Sequence, residues 1–142
     1  MRPVASPPFS LRKLDHVVLR VTDLQASLGF YVGALGCTME KEQASIGLYQ
    51  VRAGDSLIDL VPIDQPLGRM GGTAPAVEGR NLDHFAIQIA PFDLDAIRAH
   101  LGASGIEIGD VGQRYGAEGS GPSVYIRDPD GNVVELKGPP ER

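Results

Sequence analysis

Four side chains able to hold a divalent metal recur at matching places in this 142-residue chain. Two of its three histidines, His16 and His84, open similar apolar runs, "LDHVVLRV" and "LDHFAIQI". Two carboxylates, Asp59 in "SLIDLV" and Glu135 in "NVVELK", sit at matching points of two later apolar runs. Imidazole plus carboxylate suits Fe, Mn, Co, Ni or Zn, with coordination positions left for water or substrate. A lone strand histidine is more often a hydrogen-bonded structural residue. Two histidines and two carboxylates in repeat-related positions favour a shared metal site. A carboxylate flanked by apolar residues also needs compensation if it is buried, and a cation supplies it.

Strand alternation sets where these groups point. Val17, Leu19 and Val21 form one apolar face of the first run, and Phe85, Ile87 and Ile89 do so in the second. That leaves His16 and His84 on the opposite face. Asp59 lies between Ile58 and Leu60, and Glu135 between Val134 and Leu136, so all four candidates turn away from the apolar face. Two sheets curling towards each other would bring the four together, within one chain or across two. Asp59, with the shorter side chain, is the weakest of the four as a direct ligand.

The elements that carry these groups repeat as well. Each histidine strand leads to an Asp-Leu helix start, an amphipathic stretch and a glycine stop. Leu24, Leu28, Tyr31 and Leu35 precede Gly36, and Leu94, Ile97 and Leu101 precede Gly105. Further on, "YQVRAGDSLIDL" overlies "YIRDPDGNVVEL" at one constant offset, placing Tyr49 on Tyr125 and Asp59 on Glu135. The turns "AGDS" and "DPDGN" suit hairpins.

The expected strands are 14–21, 37–43, 46–52 and 56–61, then 82–90, 106–111, 122–127 and 132–137. The expected organisation is an arm over 1–13, a first βαβββ module over 14–62, a linker or lid over 63–81, a second module over 82–138, and a tail over 139–142. The linker is rich in Gly and Pro, which predicts no regular element there, and a connection of that length usually covers a site.

Composition narrows the classes. Apolar content of 42% and charged content of 22% are those of a globular protein. A net charge of −5 offers no footprint for nucleic acid or an anionic membrane. The N-terminal stretch lacks a signal-peptide core, and no run is long enough to span a membrane. The single Cys37 fits a reducing compartment, so a cytoplasmic location is expected.

The runs "LDHVVLRVTDLQASLGFYVGALG", "LDHFAIQI" and "SVYIRDPDGNVVELKG" resemble the vicinal oxygen chelate superfamily, the glyoxalase, bleomycin-resistance and extradiol-dioxygenase group. The resemblance spans residues 14–138. It implies an α+β fold of two tandem βαβββ modules forming a curved, half-barrel mixed sheet around one divalent metal per site. It implies metal ligation by His16, His84 and Glu135, with Asp59 at the position where glyoxalases commonly carry Glu. A small-molecule substrate and a homodimer are implied too.

The resemblance implies a glyoxalase-like lyase or isomerase, with Glu135 as base and Asp59 as its partner in metal-assisted proton transfer. Arg20 resembles a substrate-binding arginine of glyoxalase I, and Tyr115 is a candidate donor to substrate. The glutathione-binding pattern of glyoxalase I is incomplete here. The alternatives are an extradiol Fe(II) dioxygenase built on the same triad, a fosfomycin-type thiol transferase, and a drug-sequestering protein without metal. His100, near the end of the second helix, is read as an exposed residue favoured by the helix dipole.

Overall fold

The computed structural model describes residues 6–141. Residues 1–5 of the expected arm and residue 142 of the tail lie outside the described residues. The first half runs β1 (His16–Val21), α1 (Leu24–Leu28), β2 (Thr38–Gln43), β3 (Leu48–Ala53) and β4 (Ser56–Pro62). A short helix, α2 (Pro66–Arg69), follows. The second half runs β5 (Phe85–Gln88), α3 (Leu94–Ala103), β6 (Val111–Gly116), β7 (Gly119–Arg127) and β8 (Val133–Lys137). The strands form two four-stranded mixed sheets, ordered β1-β4-β3-β2 and β5-β8-β7-β6. In each, the histidine strand runs parallel to the carboxylate strand, and the rest is antiparallel.

The repeated Asp-Leu pair is a helix cap. Asp23 accepts a hydrogen bond from the Ala26 amide at 3.1 Å, and Asp93 accepts from Ala96 at 3.2 Å. Each satisfies an amide that has no partner within the helix. Gly36 and Gly105 end the two stretches with φ of 85° and 74°, a conformation that costs other residues a steric clash. The first stretch departs from plain α geometry. After Leu28 it widens into π-helical turns over Gly29–Ala34, and the Leu35 amide reaches back to the Phe30 carbonyl at 3.0 Å. In the wider turn Phe30 and Ala34 join the expected Tyr31 as the buried residues, while Leu24, Leu28 and Leu35 are partly buried against the same core.

One apolar core joins both halves, with Val21, Tyr31 and Leu60 from the first and Leu101, Val124 and Ile126 from the second. Burying each large side chain contributes roughly 1.5–3 kcal/mol before entropy is charged. Polar contacts lock the same junction. The Tyr31 hydroxyl donates to Asp128 at 2.7 Å in the buried interior, and Thr22 Oγ1 donates to Asp130 at 2.7 Å. His100 does not stand free at a helix end. Its Nε2 donates to the Ala34 carbonyl at 2.7 Å, satisfying an acceptor of the first helical stretch.

Three expectations need correction. The linker holds a regular element after all, because Pro66 occupies the first turn of α2, where a missing amide hydrogen costs nothing. The segment expected to be a strand at 106–111 buries Ile106 and Ile108 partly but enters the ladder only from Val111. Residues 112–121, which fall between two expected strands, build the β6–β7 hairpin.

A fourth correction concerns register. Asp59 pairs with Gln50, whereas Glu135 pairs with Tyr125. Gln50, not Tyr49, is therefore the counterpart of Tyr125. Tyr49 faces the core, and its hydroxyl approaches Gln65 Oε1 at 3.4 Å.

Candidate metal centre

On β1, Leu19 and Val21 are buried while His16 and Val18 are exposed, so the histidine faces away from the core as alternation requires. Val18 stands opposite Asp59 and Ala86 opposite Glu135, which puts each histidine two residues before the point facing the carboxylate. The result is two like pairs. His16 Nε2 lies 3.7 Å from Asp59 Oδ2, and His84 Nε2 lies 3.3 Å from Glu135 Oε1. Asp59 and Glu135 are buried at 4% and 6% exposure, whereas the imidazoles remain open.

The aspartate of each Leu-Asp-His triplet has a role that the sequence reading missed. His84 Nδ1 lies 2.7 Å from Asp83 Oδ2, and His16 Nδ1 lies 2.8 Å from Asp15 Oδ2. An ionised carboxylate only accepts, so Nδ1 carries the hydrogen in both rings. The neutral ring then presents the Nε2 lone pair towards the buried carboxylate. Two acceptors facing each other at 3.3 Å suit a shared cation, either a proton or a metal. Asp15 and, behind it, Asp59 raise the His16 pKa above its ordinary 6.5, the response expected of a ring flanked by negative charge.

The halves differ in what else they offer the carboxylate. Gln50 Nε2 donates to Asp59 Oδ1 at 3.1 Å. Glu135 instead has Tyr125 across the ladder, and that ring packs edge-on against His84 with centroids 5.3 Å apart. The Arg114 guanidinium covers the Tyr125 ring at 4.2 Å. Nothing in the sequence marked Arg114. Tyr125 was visible only as a repeat marker.

The chain does not bring the two pairs together. Among the described residues, no three of His, Cys, Asp and Glu are grouped closely enough to hold one ion. Two clefts of about 430 and 920 Å³ flank the packed helices, and neither is lined by His16, Asp59, His84 or Glu135. The donor types still fit a divalent metal: oriented Nε2 lone pairs beside buried carboxylates, on sheet faces that lie open.

The two candidate substrate residues are placed differently from the four candidate ligands. Arg20 shares the His16 face, but its guanidinium donates to the carbonyls of Gly68 at 2.9 Å, Thr73 at 2.9 Å and Gly72 at 2.6 Å. It therefore clamps the segment after α2. Tyr115 lies on β6 and is 85% exposed. At the far end of the linker Arg80 donates to the Asp130 carbonyl at 2.6 Å and to Asn132 Oδ1 at 3.2 Å.

Comparison with known proteins agrees with this architecture. The chain is 29% identical over 126 residues to "Glutathione transferase FosA" of Serratia marcescens, covering 89% of this chain and 80% of that protein. It is 30% identical over 131 residues to "Virulence protein STM3117" of Salmonella typhimurium, covering 87% and 82%. The crystal structure of that virulence protein superposes with a TM-score of 0.71 at 23% identity, covering 92% of this chain and 98% of the other. "Metapyrocatechase 2" of Cupriavidus necator is 28% identical over 135 residues, and this chain spans 95% of itself but 36% of that protein. Residues 13–136 match the family described as the Glyoxalase/Bleomycin resistance protein/Dioxygenase superfamily, and the chain, with its two βαβββ halves and paired His-carboxylate faces, belongs to it.

Proposed function

We propose that the protein is a divalent-metal-dependent enzyme of the glyoxalase-like type, acting on a small oxygen-bearing metabolite by metal-assisted proton transfer. The observation that carries this reading is the approach of His84 Nε2 to the Glu135 carboxylate at 3.3 Å, with Nδ1 already tied to Asp83. His16, His84 and Glu135 would hold the ion, and Asp59 would support it. Because one chain keeps the pairs apart, a second copy completes each site, His16 of one chain joining His84 and Glu135 of the other. When bound, the metal would polarise neighbouring substrate oxygens and lower the acidity barrier at the adjacent carbon.

The chain's own residues supply the rest. Glu135 is buried beside the His84 imidazole, where it would meet a substrate held at the ion. It would take the proton from the carbon next to the carbonyl onto one carboxylate oxygen and deliver it from that oxygen to the neighbouring, former carbonyl carbon. Asp83 and Asp15 hold the imidazole rings in one tautomer, and Tyr125 with Arg114 walls one side of the site.

An extradiol-type dioxygenase is the second reading. The engagement of Asp59 by Gln50 supports it, since that leaves a two-histidine, one-carboxylate set. The identity to a metapyrocatechase points the same way.

Metal content of protein purified without chelator or nickel column tests the proposal. About one divalent ion per chain, lost in Glu135→Ala, is the expected result. Mixing His16→Ala chains with Glu135→Ala chains should restore part of the binding, because the mixed dimer regains one intact site. Iron would favour the dioxygenase, and nickel, cobalt or zinc the lyase or isomerase. Failure to bind any of these ions, offered in turn, refutes both readings and leaves a metal-free binding protein.

A further inference from the structure

Lys137 is an unusual presence on the face that carries Glu135. It lies two residues further along β8, on the same side of the sheet, and is only 7% exposed. An ammonium has three hydrogens to donate. Here a single contact is made, to the Gly119 carbonyl at 3.3 Å. No carboxylate among the described residues lies within ion-pair distance of it. A buried charge left so poorly matched is costly, and a counter-ion relieves the cost.

A second hydrogen-bond donor stands beside the lysine. Ser123 stands directly across the ladder from Lys137. Gly121 and Gly116 lie beneath the lysine: a Cβ at Gly121 would clash with the Pro139 carbonyl oxygen and come 3.2 Å from Nζ, and one at Gly116 would come 3.2 Å from Cε. Glycine at both positions lets the lysine lie close over the hairpin. The Ser123 hydroxyl already accepts from Arg114 at 2.7 Å, so its own hydrogen is left to donate. Arg114 is matched by Asp110 at 2.7 Å, which leaves Lys137 as the unmatched positive charge of this group.

We propose that Lys137, assisted by the Ser123 hydroxyl, is an oxyanion-binding subsite, so that the substrate bears a carboxylate or phosphoryl group beside the oxygens presented to the metal. This substrate class rests on the function proposed above, because it places the subsite beside His84 and Glu135. The anion contact itself needs no metal and can be measured without one.

The test is an amide chemical-shift titration of chelator-treated protein with inorganic phosphate and, separately, acetate. Saturable shifts centred on Gly119, Gly121, Ser123 and Lys137 are expected with at least one probe. Phosphate alone would identify the phosphoryl class, and acetate the carboxylate class. Lys137→Met should weaken that binding about tenfold or more, the size of a lost hydrogen bond to a charged group. Lys41→Met, on the exposed strand β2, should leave it unchanged.

Absence of saturation with both probes, shifts centred elsewhere, or equal binding by Lys137→Met would each overturn the proposal. If Lys137→Met does not fold, the wild-type shift map decides alone. Metal binding without anion binding refutes only the subsite, and anion binding without metal binding refutes only the metal-dependent function.

Discussion

The aspartate of each Leu-Asp-His triplet offers the sharpest test of the metal reading, since it touches the ligand and not the ion. Asp83→Ala removes the acceptor 2.7 Å from His84 Nδ1. Partners of this kind are worth about 10–100-fold in metal affinity. The Asp83 side chain is 96% exposed, so water can replace the lost acceptor and the effect should fall near tenfold, about 1.4 kcal/mol. Asp15→Ala should act alike through the 2.8 Å contact to His16, where Asp15 is 86% exposed.

If both rings bind the same ion, the two losses add for partners that do not touch, and the double variant should lose about a hundredfold. Competition for Zn(II) against a chromophoric chelator near neutral pH measures all three. Metal-free melting temperatures should barely move, because both aspartates are surface residues. Unchanged affinity in the double variant, with Glu135→Ala abolishing binding, would refute the assignment of Nδ1 as the anchored nitrogen.

Other expectations concern the scaffold. Tyr31→Phe should cost about 1.5–3 kcal/mol in urea unfolding, because it leaves a buried carboxylate short of one donor. Burial, with Asp128 beside it, pushes the Tyr31 pKa far above its ordinary 10, so this contribution is full below pH 10 and is lost as the pH rises past it. A gap between wild type and Tyr31→Phe that stays constant well above pH 10 would contradict the assignment. Burial likewise raises the Cys37 thiol, so alkylation by iodoacetamide should be slow in native protein and fast once it is unfolded, as mass spectrometry would show. Arg20→Ala frees three carbonyls and should speed hydrogen exchange at the Met70 and Gly72 amides while leaving β1 protected.

Alternation was the most legible signal. It placed His16, Asp59, His84 and Glu135 away from the core because apolar neighbours on both sides leave a strand residue only one other direction. The Asp-Leu caps and glycine stops were equally plain, since each is a local device. Register was less so. The first hairpin turns on Gly54 and Asp55 alone, while the second uses the whole Asp128–Asn132 segment, where Asp128 Oδ1 accepts from the Asp130 and Asn132 amides at 3.0 and 2.8 Å. A constant offset cannot span turns of unequal length, and a slip of one residue exchanges the faces. That is how Tyr49 took the place belonging to Gln50. β6 stayed hidden for another reason: "VGQRYG" has no apolar alternation, because it is an edge strand with little to bury.

The same register explains why two like halves need not contribute equally. Gln50 spends its amide on Asp59, which already has the shorter reach and stays 3.7 Å from its imidazole. Tyr125 cannot serve Glu135 in that way, for its ring is turned against His84 and covered by Arg114. Glu135 is therefore left with a longer side chain, a closer imidazole and, among the described residues, no amide donor to share its charge. On the proposed reading, a duplicated module becomes asymmetric here without any change of fold. One carboxylate is drawn into the protein's own hydrogen bonding, and the other is held for the ion. Three protein ligands then leave positions open, which a substrate presenting neighbouring oxygens requires. The difference between Gln50 and Tyr125, one residue on one strand, would decide which half binds and which half supports.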